Sequence, residues 1–210
     1  MSFAVLRWTF CHKNMSSPDA GDIVQEALDS RRVADGRVRL DAWQASQPVN
    51  LDTLSKLRYY RPLLGQHDEA IDAAQKMIEL RPHDAWERMS DHLRLGELYV
   101  EIGELEHAWA ALNVVIDWPE IKDWYSAGMA RSTVELALDI SAAASRENEL
   151  SEMAFDAAVQ LLDDGCSTSF CLLEKARDCS RRLRRGGLFE RFKRAAVEEH
   201  ERIQRQLEGR

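Results

Sequence analysis

A helix-patterned segment is written twice in this chain, 38 residues apart. The first copy runs from Gly65 to Pro82 and the second from Gly103 to Pro119. Gly65 matches Gly103, Ala70 matches Ala108, Ala74 matches Leu112 and Ile78 matches Ile116. Self-similarity at this period is the mark of stacked helical units, each too small to bury its own apolar face. It excludes most sheet-based folds at once, and no segment alternates with period two long enough for a convincing strand. Stacked units present extended surfaces to partners, so the repeat also directs the functional reading toward binding.

The same periodicity divides the chain into antiparallel helix pairs. From Ser17-Pro18-Asp19 onward, Ile23, Ala27 and Leu28 mark an apolar face, with Asp19 or Asp22 near the helix start. Gly36 is expected to break this helix, and Val38 to Ala45 reads as a short partner ended by Pro48. Asn50 or Asp52 can start the next helix, carrying Leu51, Leu54, Leu57 and Leu64, with Pro62 weakening its last turn and Gly65 ending it. Its partner spans about Asp68 to Leu80, with Ala70, Ile71, Ala74, Met77 and Ile78 on one face. Further pairs are expected at about Ala85–Ile102 with Leu105–Trp118, Asp123–Ser145 with Glu149–Leu162, and Thr168–Arg185 with Leu188–Leu207. The last pair is divided at Gly186-Gly187. The clearest units cover 51–84 and 89–121, and degenerate pairs cover 18–47, 123–164 and 168–207. Residues 1–17 show no period and read as an N-terminal extension, which leaves 18–210 as one repeat domain.

Composition narrows the class further. Hydrophobic residues make up 45% and charged residues 30%, enough for a sizeable core under a solvated surface. The net charge of −8 is unevenly spread. Residues 1–165 carry 16 Lys and Arg against 29 Asp and Glu, a net of −13; residues 166–210 carry 12 against 7, a net of +5. Such asymmetry hints at a basic contact surface or tail. Cysteines at 11, 166, 171 and 179 form no dense framework and read as thiols of a cytosolic protein. Phe3-Ala4-Val5-Leu6 is cut short by Arg7, and no run of 18 apolar residues exists. A soluble, cytoplasmic protein with no membrane partner is the expectation.

Leu95-Gly96, Tyr99, Gly103, Ala108 and Pro119 carry a resemblance to the tetratricopeptide repeat. That family shows a Leu-Gly and an aromatic in the first helix, a Gly at the turn, small residues at the helix crossing and a closing Pro. Leu57, Gly65, Ala70, Ala74 and Pro82 follow the same pattern, but Arg58 replaces the Gly and Arg61 the aromatic. Small residues at a crossing let helices approach closely. The resemblance implies an all-α fold: an α-solenoid of antiparallel helix pairs, wound as a right-handed superhelix with degenerate ends.

Members of this family that clamp a carboxylate need Lys and Asn on the inner faces of successive first helices. The corresponding positions here, Ser55, Tyr59, Leu93 and Glu97, hold neither, so chaperone-tail binding does not follow. A groove lined by Tyr59, Tyr60, Glu97 and Glu101 is mixed aromatic and acidic, suited to a basic and apolar ligand. Packing tyrosines and a solvated acidic face fit the same residues. Tryptophans at 86, 109, 118 and 124 cluster around the second clear unit, and Trp118 and Trp124, flanking Pro119, are the candidates for exposure. Between Lys175 and Arg194 lie nine basic residues against two acidic ones. Arg181, Arg182, Arg184 and Arg185 form the candidate basic patch; on a single helix Arg181, Arg184 and Arg185 share a face. Arginine forks there suit phosphate or carboxylate.

The histidines at 12, 67, 83, 92, 107 and 200 form no His-Glu-x-x-His pattern, and the cysteines lack zinc spacing. No catalytic residues, cofactor or metal are expected. The reading is a non-enzymatic adaptor that binds a protein or peptide segment in the concave groove. A homo-oligomer is compatible with it. One alternative is a nucleic-acid-associated factor using the basic helices at 175–194. Another, by fold analogy alone, is a regulatory domain of a signalling enzyme.

Overall fold

The structure is a computed structural model that describes residues 18–83, 86–118, 128–145, 147–164 and 170–208. Among these residues the chain forms ten α-helices and no strand. In chain order they are α1 (Ala20–Asp29), α2 (Val33–Ala45), α3 (Leu51–Leu63), α4 (His67–Leu80), α5 (Trp86–Ile102), α6 (Leu105–Ile116), α7 (Gly128–Ala143), α8 (Glu149–Asp163), α9 (Leu173–Arg182) and α10 (Gly186–Leu207). A short 3₁₀ turn, Phe170–Leu172, leads into α9.

Helices adjacent in sequence pack as pairs: α1 with α2, α3 with α4, α5 with α6, α7 with α8, and α9 with α10. Substantial contacts then join each pair to its neighbour. α1 rests on α3, α4 on α5, both α5 and α6 on α7, α7 on α9, and α8 on α10. The apolar spacing read from sequence lies in these interfaces. Ala70, Ile71, Ala74, Met77 and Ile78 of α4 are all buried, as are Ala108, Leu112 and Val115 of α6. Among the described residues the core has three parts: one shared by α1–α4, one between α4 and α5, and the largest running from α5 to α10. Leu98, Leu112 and Leu136 are essentially sealed, and each such side chain stabilises the fold by about 1.5–3 kcal/mol.

Four of the turns within pairs are built alike. After α3, Gly65 takes φ +71°, its N–H donates to Pro62 O, and the N–H of Gln66 donates to Arg61 O. After α5, Gly103 takes φ +81° with the equivalent bonds to Val100 O and, from Glu104, to Tyr99 O. This reverse-turn cap satisfies helix-end carbonyls and needs a left-handed residue, hence the two glycines that reveal the repeat. The same bonds recur after α1 and α9, but there Arg31 and Arg184 hold the left-handed position, each at φ 56°. Two expectations are corrected as a result. Gly36 does not break a helix; it lies inside α2, where a Cβ would stand 2.4 Å from that of Ala27, so it permits the α1–α2 crossing. Gly186-Gly187 is not the division of the last pair either, because both residues already belong to α10.

Other boundaries follow local chemistry. The Asn50 side chain caps α3 by accepting from Thr53 N at 2.9 Å, and Asn148 caps α8 by accepting from Leu150 N at 2.9 Å. Pro62 sits in the last turn of α3, where helix continuation is no longer required. Leu28, expected on the inner face of α1, is exposed instead, while Ala20, Ile23, Val24 and Ala27 make that face. The N-terminal extension 1–17, the start of the fourth expected pair at Asp123 and the start of the fifth at Thr168 lie outside the described residues, as do Cys11, Pro119, Trp124 and Cys166. Cys179 is buried, and burial raises its thiol pKa, disfavouring the thiolate.

Candidate functional site

The two departures from the repeat pattern, Arg58 and Arg61, organise the most distinctive surfaces of the molecule. In the second clear unit Gly96 of α5 meets α7 so closely that a Cβ would lie 2.6 Å from Leu136 Cδ2. At the matching place in the first unit, Arg58 of α3 cannot be absorbed in that way. Its Nη1 instead donates to Asp91 Oδ1 at 2.5 Å, reaching across to α5. Asp91 is only 1% exposed and also accepts from Arg81 Nε at 2.5 Å. One sealed carboxylate therefore holds two guanidinium groups, and the cluster keeps one positive charge in excess.

Held apart in this way, the first helices α3, α5 and α7 enclose a cleft of about 440 Å³. Arg58 lines it from α3, and Met129, Arg131 and Ser132 from α7. α5 contributes Trp86, Ser90, Leu93, Arg94 and Glu97. Arg94 is oriented within its own helix, donating to Glu97 at 2.9 Å and to Glu101 at 3.4 Å. Arg131 is exposed and has no ion-pair partner among the described residues. His92 of α5 is half-buried, and its Nδ1 is sealed with no hydrogen-bond partner among the described residues. Burial first, and the nearby Arg88 second, lower its pKa below 6.5, with Asp91 opposing.

The residues expected to line a groove are distributed differently. Glu97 is on the cleft, and Leu93, buried, forms its floor. Glu101 is turned to Arg94 and to His67, 3.4 Å away, and lies outside the cleft. Tyr59 is 61% exposed and meets Tyr60 edge to face at 5.0 Å. Tyr60 packs against the first core, its hydroxyl so near Gly21 that a Cβ there would be 2.7 Å away. Trp118 is half-buried against the largest core, so its ring serves packing, while Trp124 falls outside the described residues. Trp86, at 44% exposed, is the open indole of the cleft. Sequence reasoning missed Trp86, Arg94 and Arg131 as one group because they stand on two different helices. The available signal was the spacing of Arg58, Arg94 and Arg131 at roughly one repeat length.

Arg61, in place of the aromatic, is 4% exposed and donates to Asp41 at 2.9 Å and to Gln44, both on α2. α2 touches α3 only lightly, and a second cleft of about 370 Å³ opens between them, floored by Leu54 and Leu57. In the second unit the matching Tyr99 packs against the neighbouring cores, and its hydroxyl accepts from Gln75 at 3.0 Å.

The C-terminal basic residues do not form one helical face. α9 ends at Arg182, Arg184 is the left-handed turn residue, and Arg185 precedes α10. Arg182 is spent on the interior: it donates to Ala142 O at 2.6 Å, to Ser141 O, to Ala144 O and to the Ser151 hydroxyl. Ser141 and Ser151 exchange reciprocal bonds of 2.8 and 3.0 Å, so the guanidinium closes the end of α7 and ties it to α8. Arg185 pairs with Asp156, Arg191 with Asp163, and Lys175 with Glu135 and Asp139. Arg181 and Arg184 are exposed.

Among the described residues no group of three or more His, Cys, Asp or Glu side chains is placed to hold a metal, and no helix is long and apolar enough to cross a membrane. Comparison with family models, curated proteins and solved structures gives no match to the chain.

Proposed function

We propose that this chain is a non-enzymatic interaction module, a tetratricopeptide-like solenoid that binds a protein or peptide segment along the groove of its first helices. The observation that carries the reading is the α3–α5–α7 cleft, assembled from the first helices of three successive pairs. The step-by-step packing of each pair on the next supports a superhelical array, as do the small residues Ala70, Ala74, Gly96 and Ala108 buried at the crossings. The cleft offers an exposed indole, a methionine and oriented polar groups, the combination found where a few anchors carry binding energy. The alternative of nucleic-acid association through helices 175–194 is weakened by the pairing of Lys175, Arg185 and Arg191 and by the internal role of Arg182.

Affinity purification of the tagged protein from its native cell, with and without nuclease, tests this against a Trp86→Ala, Met129→Ala variant. A protein retained through nuclease by the wild type, and lost by a variant that stays folded with a small drop in Tm, is the expected result. Partners that depart with nuclease digestion and persist in the variant would move the function to the exposed C-terminal arginines.

A further inference from the structure

We infer that the ligand of the α3–α5–α7 cleft is an acidic peptide segment: one that presents Asp or Glu side chains to the arginines and an aromatic or aliphatic side chain to Trp86 and Met129. The inference rests on the groove reading above and reverses the charge that the sequence alone assigned to the groove.

Three arginines and one glutamate line the cleft among the described residues. Their pairing leaves positive charge over. Arg58 shares the sealed Asp91 carboxylate with Arg81, two cations on one anion. Arg131 has no ion-pair partner among the described residues and stands exposed at the α7 wall. Arg94 is the compensated member, held by Glu97 and Glu101. The arrangement is also oriented in advance. Asp91 fixes the Arg58 guanidinium from behind, in a site where its side chain is 18% exposed, so its remaining N–H groups are partly withdrawn from water. A carboxylate reaching Arg58 and Arg131 gains charge-assisted, fork-shaped hydrogen bonds at little cost in side-chain ordering.

The chain as a whole is acidic, and residues 1–165 especially so. This does not set the sign of the site. At physiological ionic strength exposed charges beyond about 8 Å are largely screened, so the groups within the cleft govern recognition. Peptide is favoured over RNA because, among the described residues, the apolar part of the cleft combines one exposed indole with Met129 and Leu93 and shows no row of aromatic platforms on which successive bases stack.

The test is selection of random 12-residue peptides from a display library on the wild-type protein and on Arg131→Glu. Arg131 is exposed and unpaired among the described residues, so this variant should keep its Tm. The expected outcome is a wild-type pool rich in Asp and Glu with one aromatic or aliphatic position. The best synthetic peptide should weaken at least tenfold on Arg131→Glu, on Trp86→Ala, and when its own acidic residues become amides. A neutral or basic pool that still depends on Trp86 would overturn the acidic ligand and leave the groove reading standing. Selected peptides indifferent to both Trp86→Ala and Arg131→Glu would sink both. A labelled single-stranded RNA 20-mer that displaces the peptide and binds more tightly through Arg131 would replace the peptide as the ligand.

Discussion

The α5–α7 and α3–α5 junctions solve the same geometric problem in opposite ways. At α5–α7, Gly96 removes the side chain and the helices pack directly, with Leu136 filling the space. At α3–α5, Arg58 occupies the matching place, the helices stay apart, and a sealed Asp91 bridges the gap. The first solution depends on shape and tolerates no added volume. The second depends on charge balance and leaves a wall of the cleft open. One difference at one repeat position therefore separates a direct packing contact from an open cleft.

The largest effect is expected on removing the bridge. Asp91→Ala leaves Arg58 and Arg81 facing each other without their counter-ion, which should lower stability by about 3 kcal/mol, measured by urea unfolding. A loss under about 1 kcal/mol would mean that water or relaxation replaces the carboxylate. Next, Gly96→Leu should cost about 2–3 kcal/mol by forcing α5 off α7, with partial rescue by Leu136→Ala. Failure of that rescue would show that the Ala108 carbonyl, 3.4 Å from the added Cβ position, sets the limit. Arg58→Ala should be milder, about 1–2 kcal/mol, because Asp91 keeps Arg81.

The smallest effect concerns protons. His92 has its pKa lowered in the fold, so the unfolded chain takes up the proton more readily. The stability tied to neutral His92 is complete above about pH 6.5 and is lost as pH falls through and below that value. A shallower decline in Tm for His92→Gln over that range is the expected result, and identical slopes would remove His92 from the account.

The pairing of helices was legible because Gly65 and Gly103 mark the turns and Ala70, Ala74 and Ala108 mark the crossings. The first and last turns were harder to read, since Arg31 and Arg184 take the same left-handed conformation without the residue that signals it. Gly36 and Gly186 then drew attention to the wrong places. The cleft was less legible than the fold for a different reason. Arg58 and Arg61 could be read as breaks in a pattern, but Asp91 and Asp41, which give them their roles, are distant in sequence and identifiable only by reach. The basic C-terminal stretch misled in the other direction: its charge was visible, but not its internal use. Arg182 in particular caps a helix some forty residues upstream.

That cap bears on how the molecule comes apart. In a linear array held by nearest neighbours, a terminal unit can fray while the rest stays intact. Here the guanidinium that finishes α9 also closes α7 and grips Ser151 on α8. Loosening the last pair would expose the end of the pair before it, so local opening at the C-terminus recruits its neighbour. α7 to α10 should therefore exchange amide hydrogens as one cooperative block.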